Sequence, residues 1–205
     1  MMDIGIFGGS FNPIHIGHLI VAEEVFQQRK LSKILFIPTG ISPHKESGGL
    51  IDAFHRYEMV KQAIGDNEHF EVSDIEIKRA GKSYTIDTIK ILREAYGPEH
   101  NLYLILGTDM LNEINTWKDI EILSDMCHFI VVNRFPITLN SEMIKKSLIC
   151  GKKKAEIEKL MVQIPSLGIS STEIRKKLSN GLSIKYLVPA CVENYIRIHS
   201  LYTKR

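Results

Sequence analysis

Two histidines, His15 and His18, stand three residues apart behind a pair of glycines in the run Gly8-Gly9-Ser10-Phe11-Asn12-Pro13-Ile14-His15-Ile16-Gly17-His18-Leu19. Three residues is nearly one helical turn, so both imidazoles can lie on one side of a helix start. A helix start already favours anions through its N–H groups and macrodipole, and two imidazoles add donors. Gly8 and Gly9 let the backbone approach a phosphate closely. Each histidine alone reads as a core residue, and an i,i+3 metal pair would need a third His or carboxylate that the loop does not contain. Taken as a pair behind Gly-Gly, they point to a phosphate site, and the sequence predicts no metal-ligating residues.

The familiar nucleotide loops do not fit. Gly5, Gly8 and Gly9 do not form G-x-G-x-x-G, which speaks against a dinucleotide-binding oxidoreductase. Gly81-Lys82-Ser83 resembles the end of a P-loop, but Glu76 stands where the leading glycine belongs.

The elements that must carry this loop alternate between strand and helix. Ile4 to Phe7 is a short apolar run, and Leu19, Ala22, Val25 and Phe26 recur at helical spacing. Lys33 to Pro38 reads as a second strand. A helix with Ala53, Phe54, Tyr57, Val60 and Ile64 follows it. Phe70 to Lys78 reads as a third strand, and a helix from Tyr84 or Thr85 runs to Gly97-Pro98. Leu102 to Leu106 and Phe129 to Val132 have the unbroken apolar character of parallel strands covered on both faces. Five strands with helices between them predict an α/β fold with a doubly wound parallel sheet. Ser170-Ser171-Thr172-Glu173 has the form of a helix N-cap with a reciprocal Glu, and a last helix starts near Pro189 with Val192, Tyr195 and Ile196 on one face.

Composition excludes several classes. Of 205 residues 44% are hydrophobic and 24% charged, which is globular rather than disordered. A net charge of +2 is too small for a protein that coats nucleic acid. Three cysteines without a C-x-x-C pair suggest neither a disulfide framework nor a zinc site, and a reducing cytoplasm fits. No run is long enough for a membrane span or a signal peptide. The lysine-rich stretch Ser141 to Lys177 reads as the solvated face of a surface helix rather than a polyanion patch, because aromatics do not interleave with the lysines.

The loop at Gly8 to Leu19 resembles the signature of the nucleotidyltransferase superfamily that carries an H-x-G-H motif and, within it, the bacterial nicotinate-nucleotide adenylyltransferases. The resemblance continues through Ser42-Pro43-His44-Lys45, Ser73-Asp74-Ile75-Glu76, Ser83-Tyr84-Thr85-Ile86-Asp87-Thr88, Gly107-Thr108-Asp109, Trp117 and Ile169-Ser170-Ser171-Thr172-Glu173-Ile174-Arg175. It departs at Asn12, where Asp is frequent, and at Arg134-Phe135-Pro136, where Arg-Pro-Gly is more usual.

The resemblance implies a Rossmann-like nucleotidyltransferase domain over residues 1–205, whose C-terminal helical part, 166–205, completes an ATP site. It implies adenylyl transfer from ATP to nicotinate mononucleotide. His15, His18, Lys45 and Arg175 would be the catalytic residues. Gly8, Gly9, Ser10, Phe11, Gly107, Asp109, Ser170 and Ser171 would join His15, His18 and Arg175 around ATP. Lys45, Tyr84, Thr85 and Trp117 would bind the acceptor, and Mg²⁺ would arrive on the ATP phosphates. Read without the resemblance, Thr85 is a plain helix N-cap, Asp109 caps the next helix and Trp117 is a core ring. Related adenylyltransferases for nicotinamide mononucleotide or phosphopantetheine remain open, as does a non-catalytic nucleotide- or RNA-binding protein. The expected partners are the two small substrates, with no nucleic acid and no membrane; a homo-oligomer is left open.

Overall fold

The computed structural model describes residues 1–41, 50–79, 81–133, 150–165 and 167–203. Its centre is a six-stranded parallel sheet of β1 (Asp3–Gly9), β2 (Lys33–Pro38), β3 (Phe70–Val72), β4 (Asn101–Gly107), β5 (His128–Asn133) and β6 (Val162–Gln163). The order is β3-β2-β1-β4-β5-β6. The chain therefore winds outward from β1 in one direction, returns, and winds outward from β4 in the other. β1 and β4 are neighbours in parallel register, Ile4 opposite Leu102 and Ile6 opposite Leu104. In a doubly wound sheet this reversal leaves a crevice beyond the strand C-termini where ligands bind.

The helices are α1 (Ile16–Arg29), α2 (Ala53–Ala63), α3 (Ile75–Lys78), α4 (Thr85–Tyr96), α5 (Ile120–Met126), α6 (Cys150–Leu160), α7 (Ser171–Ser179) and α8 (Ala190–Ile198). Two 3-10 turns, Thr108–Asn112 and Ile114–Thr116, follow β4. Alternate strand residues feed two cores, as the pleat requires. Ile34, Phe36 and Ile105 pack with Val21 and Val25 of α1, Met59 and Val60 of α2, and Val192 and Ile196 of α8. Leu35, Ile37, Leu104 and Leu106 pack on the opposite face with Ile86 and Ile89 of α4 and Leu123 of α5. At Gly5, within this sheet, a Cβ would lie 2.8 Å from Leu31 Cδ1 and 3.2 Å from Ile105 Cδ1. No helix among the described residues is long and apolar enough to cross a membrane.

Three expectations are corrected. The strand read over Phe70 to Lys78 ends at Val72 and gives way to α3; its alternation was too loose to distinguish a strand from one helical turn. A sixth strand, the two-residue β6, pairs with Val132 and Asn133 and is too short to show a pattern. The lysine-rich stretch is not one helix. α6 and α7 are separated by β6, and half-buried Lys153 bonds to Cys127 O at 3.2 Å. Lys145 and Lys146 lie outside the described residues.

Candidate active site

The loop from β1 to α1 is held from beneath and from behind. Phe11 sits at φ 42°, a left-handed conformation that costs a non-glycine residue energy, with its ring only 2% exposed. Arg56, 1% exposed, reaches up from α2 and donates to Ser10 O at 2.8 Å, Gly40 O at 3.2 Å and Ile51 O at 3.2 Å. This tethers the loop after β1 to the loop after β2. On the C-terminal side Arg175 donates to Asn12 O at 2.8 Å, Ser171 Oγ to Pro13 O at 2.8 Å and Tyr202 OH to Asn12 Oδ1 at 2.7 Å. Asn12 thus has its own anchor in the C-terminal segment.

His15 is the N-cap of α1, and the two histidine rings stack, centroids 3.6 Å apart at 25°. A Cβ at residue 17 would meet His15 Nδ1 at 3.1 Å, so the glycine between them gives the stack its room. The main-chain N–H of His15 donates to His18 Nδ1 at 3.2 Å. That bond puts the proton of a neutral His18 ring on Nε2 and makes Nε2–H the donor. The Phe11 ring meets His18 edge-on at 5.1 Å.

A cavity of about 360 Å³ opens at the C-terminal ends of β1 and β4, within the range of small-molecule sites. Gly8, Gly9, Ser10, Phe11 and His18 line one part, and Gly107, Asp109, Tyr84, Thr85 and Trp117 line another. These residues come from four separate segments. His15, Ser170, Ser171 and Arg175 do not line the cavity. His15 lies 1% exposed beneath His18, and the other three brace the loop or cap α7. Ser170 Oγ accepts the Glu173 N–H at 3.2 Å, the capping bond expected from the motif. Lys45, with Ser42, Pro43 and His44, lies outside the described residues, as does Arg134-Phe135-Pro136.

The bland alternatives fare differently. The N-cap of α4 is Tyr84, so Thr85 is the first helical residue and no side chain caps that helix. Gly107, not Asp109, is the N-cap of the turn after β4. Trp117 is half-buried, packed against the second core with part of its surface in the cavity.

Sequence reasoning passed over further cavity residues: Thr39, Glu76, Ser83, Thr88, Glu113 and Lys118. Glu76 is 8% exposed and accepts from Thr88 Oγ1 at 2.7 Å, while Arg79 donates to the same hydroxyl at 3.2 Å. Burial pushes the Glu76 carboxyl above the usual carboxylate range, against the hydrogen bond from Thr88 and the charge of Arg79. The signal for Glu76 was its place at the end of the Ser73-Asp74-Ile75-Glu76 segment, and for Lys118 its adjacency to Trp117.

A family model described as cytidylyltransferase-like matches residues 6–177. The chain is 44% identical over 202 residues to a probable nicotinate-nucleotide adenylyltransferase of Moorella thermoacetica, covering 98% of this chain and 92% of that one. It is 45% identical over 206 residues to a protein of the same description from Thermoanaerobacter sp. (strain X514), covering 99% and 95%. Its fold matches that of Plasmodium falciparum nicotinic acid mononucleotide adenylyltransferase complexed with NaAD, with a TM-score of 0.80 at 24% identity over 98% of both chains.

Proposed function

The chain belongs to the cytidylyltransferase-like family and, within it, to the nicotinate-nucleotide adenylyltransferases, and from that premise we propose that it transfers the adenylyl group of ATP to nicotinate mononucleotide. The products are deamido-NAD, for NAD biosynthesis, and pyrophosphate. The observation that carries this reading is the single cavity shared by the Gly8 to His18 loop and the Tyr84, Thr85 and Trp117 cluster, an arrangement suited to two substrates meeting at the β1/β4 switch.

The acceptor's phosphomonoester has a second pKa near 6 and is already largely dianionic at neutral pH. It needs no general base. One of its oxygens forms the new bond to the α-phosphorus of ATP as the bond to the bridging oxygen of pyrophosphate breaks, and the leaving group carries away the electron pair. The protein's task is to align these groups and offset the developing charge. His18, with its proton on Nε2, donates to the α-phosphate oxygens, and the N-terminus of α1 lies behind it. His15 fixes the His18 ring and contributes to the same phosphate site. Arg175 and Ser171 hold the loop through Asn12 and Pro13, Ser170 caps the helix that carries them, and the three complete the ATP side, so that the chain acts as one unit over 1–205 with 166–205 closing the nucleotide site. Asp109 accepts from a ribose hydroxyl. Lys45 brings a mobile cation to phosphate. Trp117 stacks on the pyridine ring, and Thr85 with the N–H groups at the start of α4 receives its carboxylate.

Among the described residues no three His, Cys, Asp or Glu cluster to hold a metal. Mg²⁺ would be carried mainly on the ATP phosphates, whose hard oxygens suit it and whose negative charge it would offset. A cytoplasmic location belongs to the same reading.

The test is an acceptor profile with ATP and Mg²⁺, following pyrophosphate release. A site built of donors rejects a carboxamide, whose NH₂ leaves one of them unpaired. The expected preference for nicotinate over nicotinamide mononucleotide is at least about 10²-fold in kcat/KM. Equal use of the two acceptors, or turnover with phosphopantetheine instead, overturns the assignment.

A further inference from the structure

We infer that Lys118 is a specificity-determining residue of the acceptor end, its ammonium pairing with an anionic substituent on the acceptor ring and leaving Asp87 to do so. The inference rests on the nicotinate reading above and deepens it.

The charge inventory of the cavity is unfavourable to an anion at this end. Its lining holds the carboxyls of Glu76, Asp109 and Glu113, and Lys118 is the sole Lys or Arg among the described lining residues. A carboxylate entering beside Thr85 and Trp117 therefore needs a nearby cation more than a neutral amide does. Burial of the Glu76 carboxyl, which favours its neutral form, removes part of the repulsion. The uncapped N-terminus of α4 adds only partial positive charge.

Lys118 is placed and held as a movable cation. It follows Trp117 directly in the chain. Its Nζ stands 4.8 Å from the centre of the Tyr84 ring and 3.5 Å from Asp87 Oδ2, with 45% of the lysine side chain and 32% of the aspartate side chain exposed. Tyr84 and Asp87 flank Thr85 at the start of α4. An ion pair this long and this exposed is weak, so an incoming carboxylate can exchange for Asp87 without leaving a buried charge unpaired. Asp87 is then a competitor for the cation, and the two residues should act in opposite directions.

The test measures kcat/KM for nicotinate and nicotinamide mononucleotide in the wild type, Lys118→Met, Lys118→Arg and Asp87→Asn. Lys118→Met should cut the preference for nicotinate about tenfold, the scale of one charge-assisted contact, almost wholly through a higher KM for the nicotinate acceptor. Lys118→Arg should keep most of the preference. Asp87→Asn, which frees the cation, should lower KM for nicotinate mononucleotide and widen the preference. Added salt should narrow it in the wild type and not in Lys118→Met. A pair that only braces α4 would make Lys118→Met and Asp87→Asn behave alike and affect both acceptors equally; that result overturns the inference. So does an unchanged preference in Lys118→Met within a wild type that does select nicotinate, which leaves the proposed function standing. A wild type without that selectivity overturns both.

Discussion

A histidine ring whose Nδ1 accepts a main-chain N–H is committed to donating from Nε2, and His18 is in that state because His15 begins α1 directly beneath it. Removing the ring removes a preorganised donor without disturbing the sheet. His18→Ala is expected to lower kcat by about 10²-fold or more while the melting temperature stays close to that of the wild type; a folded variant with near-normal kcat would return His18 to a structural role. Glu76 poses a different question at the same scale. Its native carboxyl holds a proton more tightly than the ordinary glutamate value of 4.5 implies, chiefly because it is buried. Native protein then binds more protons than the unfolded chain just above that value, so this residue's contribution to stability falls as pH rises through the window up to its native pKa. Glu76→Gln cannot ionise. Its melting temperature relative to the wild type should climb across that window and level off above it, as thermal melts from about pH 4 to pH 8 would show. A constant offset between the two profiles would mean that Glu76 is not carrying a displaced proton.

Between elements, close backbone approach decides what the loops can do. Gly40 follows β2, its N–H donates to Ser83 Oγ at 3.1 Å and its carbonyl accepts from Arg56. A Cβ there would stand 2.3 Å from the carbonyl oxygen of Glu76, a main-chain atom that cannot rotate aside. Gly40→Ala should therefore push α3 away from the loop after β2 and cost about 1–3 kcal/mol of stability, read as a lower urea midpoint with unchanged slope. An unchanged midpoint would show that this junction yields freely. The approach was invisible in the sequence, where Gly40 falls between the second strand and the helix that follows it and Phe70 to Lys78 reads as one strand. Local alternation cannot report that the chain turns into α3 to reach Gly40. By contrast, β2 was legible as an unbroken apolar run from Ile34 to Pro38, and α4 because its apolar residues recur with the helix period over a full element.

Across the whole molecule the last part of the chain returns to its first loop. Ile174, Ile184, Val188, Val192 and Ile196 join the core beneath α1 and α2, while Arg175, Ser171 and Tyr202 bond to Asn12 and Pro13. Arg175 uses the two terminal nitrogens of its planar fork, one on Asn12 O and one on Thr172 Oγ1, a geometry that a compact ammonium does not reproduce. Arg175→Lys should raise KM for ATP about tenfold or more with only a small change in melting temperature. Unchanged ATP kinetics would show that bracing Asn12 does not matter to the nucleotide site.

What the sequence determined by itself was the alternation of strands and helices and the local motifs: glycines and histidines at the first turn, Ser170 as a cap, and Tyr84 and Thr85 at a helix start. These depend on neighbours a few residues away, and periodicity records them. Which of the residues share one wall was decided only by the tertiary structure. The reversal between β1 and β4 brings the Gly8 to His18 loop against Gly107, Thr85 and Trp117, and parallel pairing across long crossovers leaves no mark at short spacing. The same folding buries His15 under His18, turns Arg175 toward Asn12 and sets Lys118 over Tyr84. Those side chains take their partners from chain segments far away in sequence, and only the packed molecule brings them within reach.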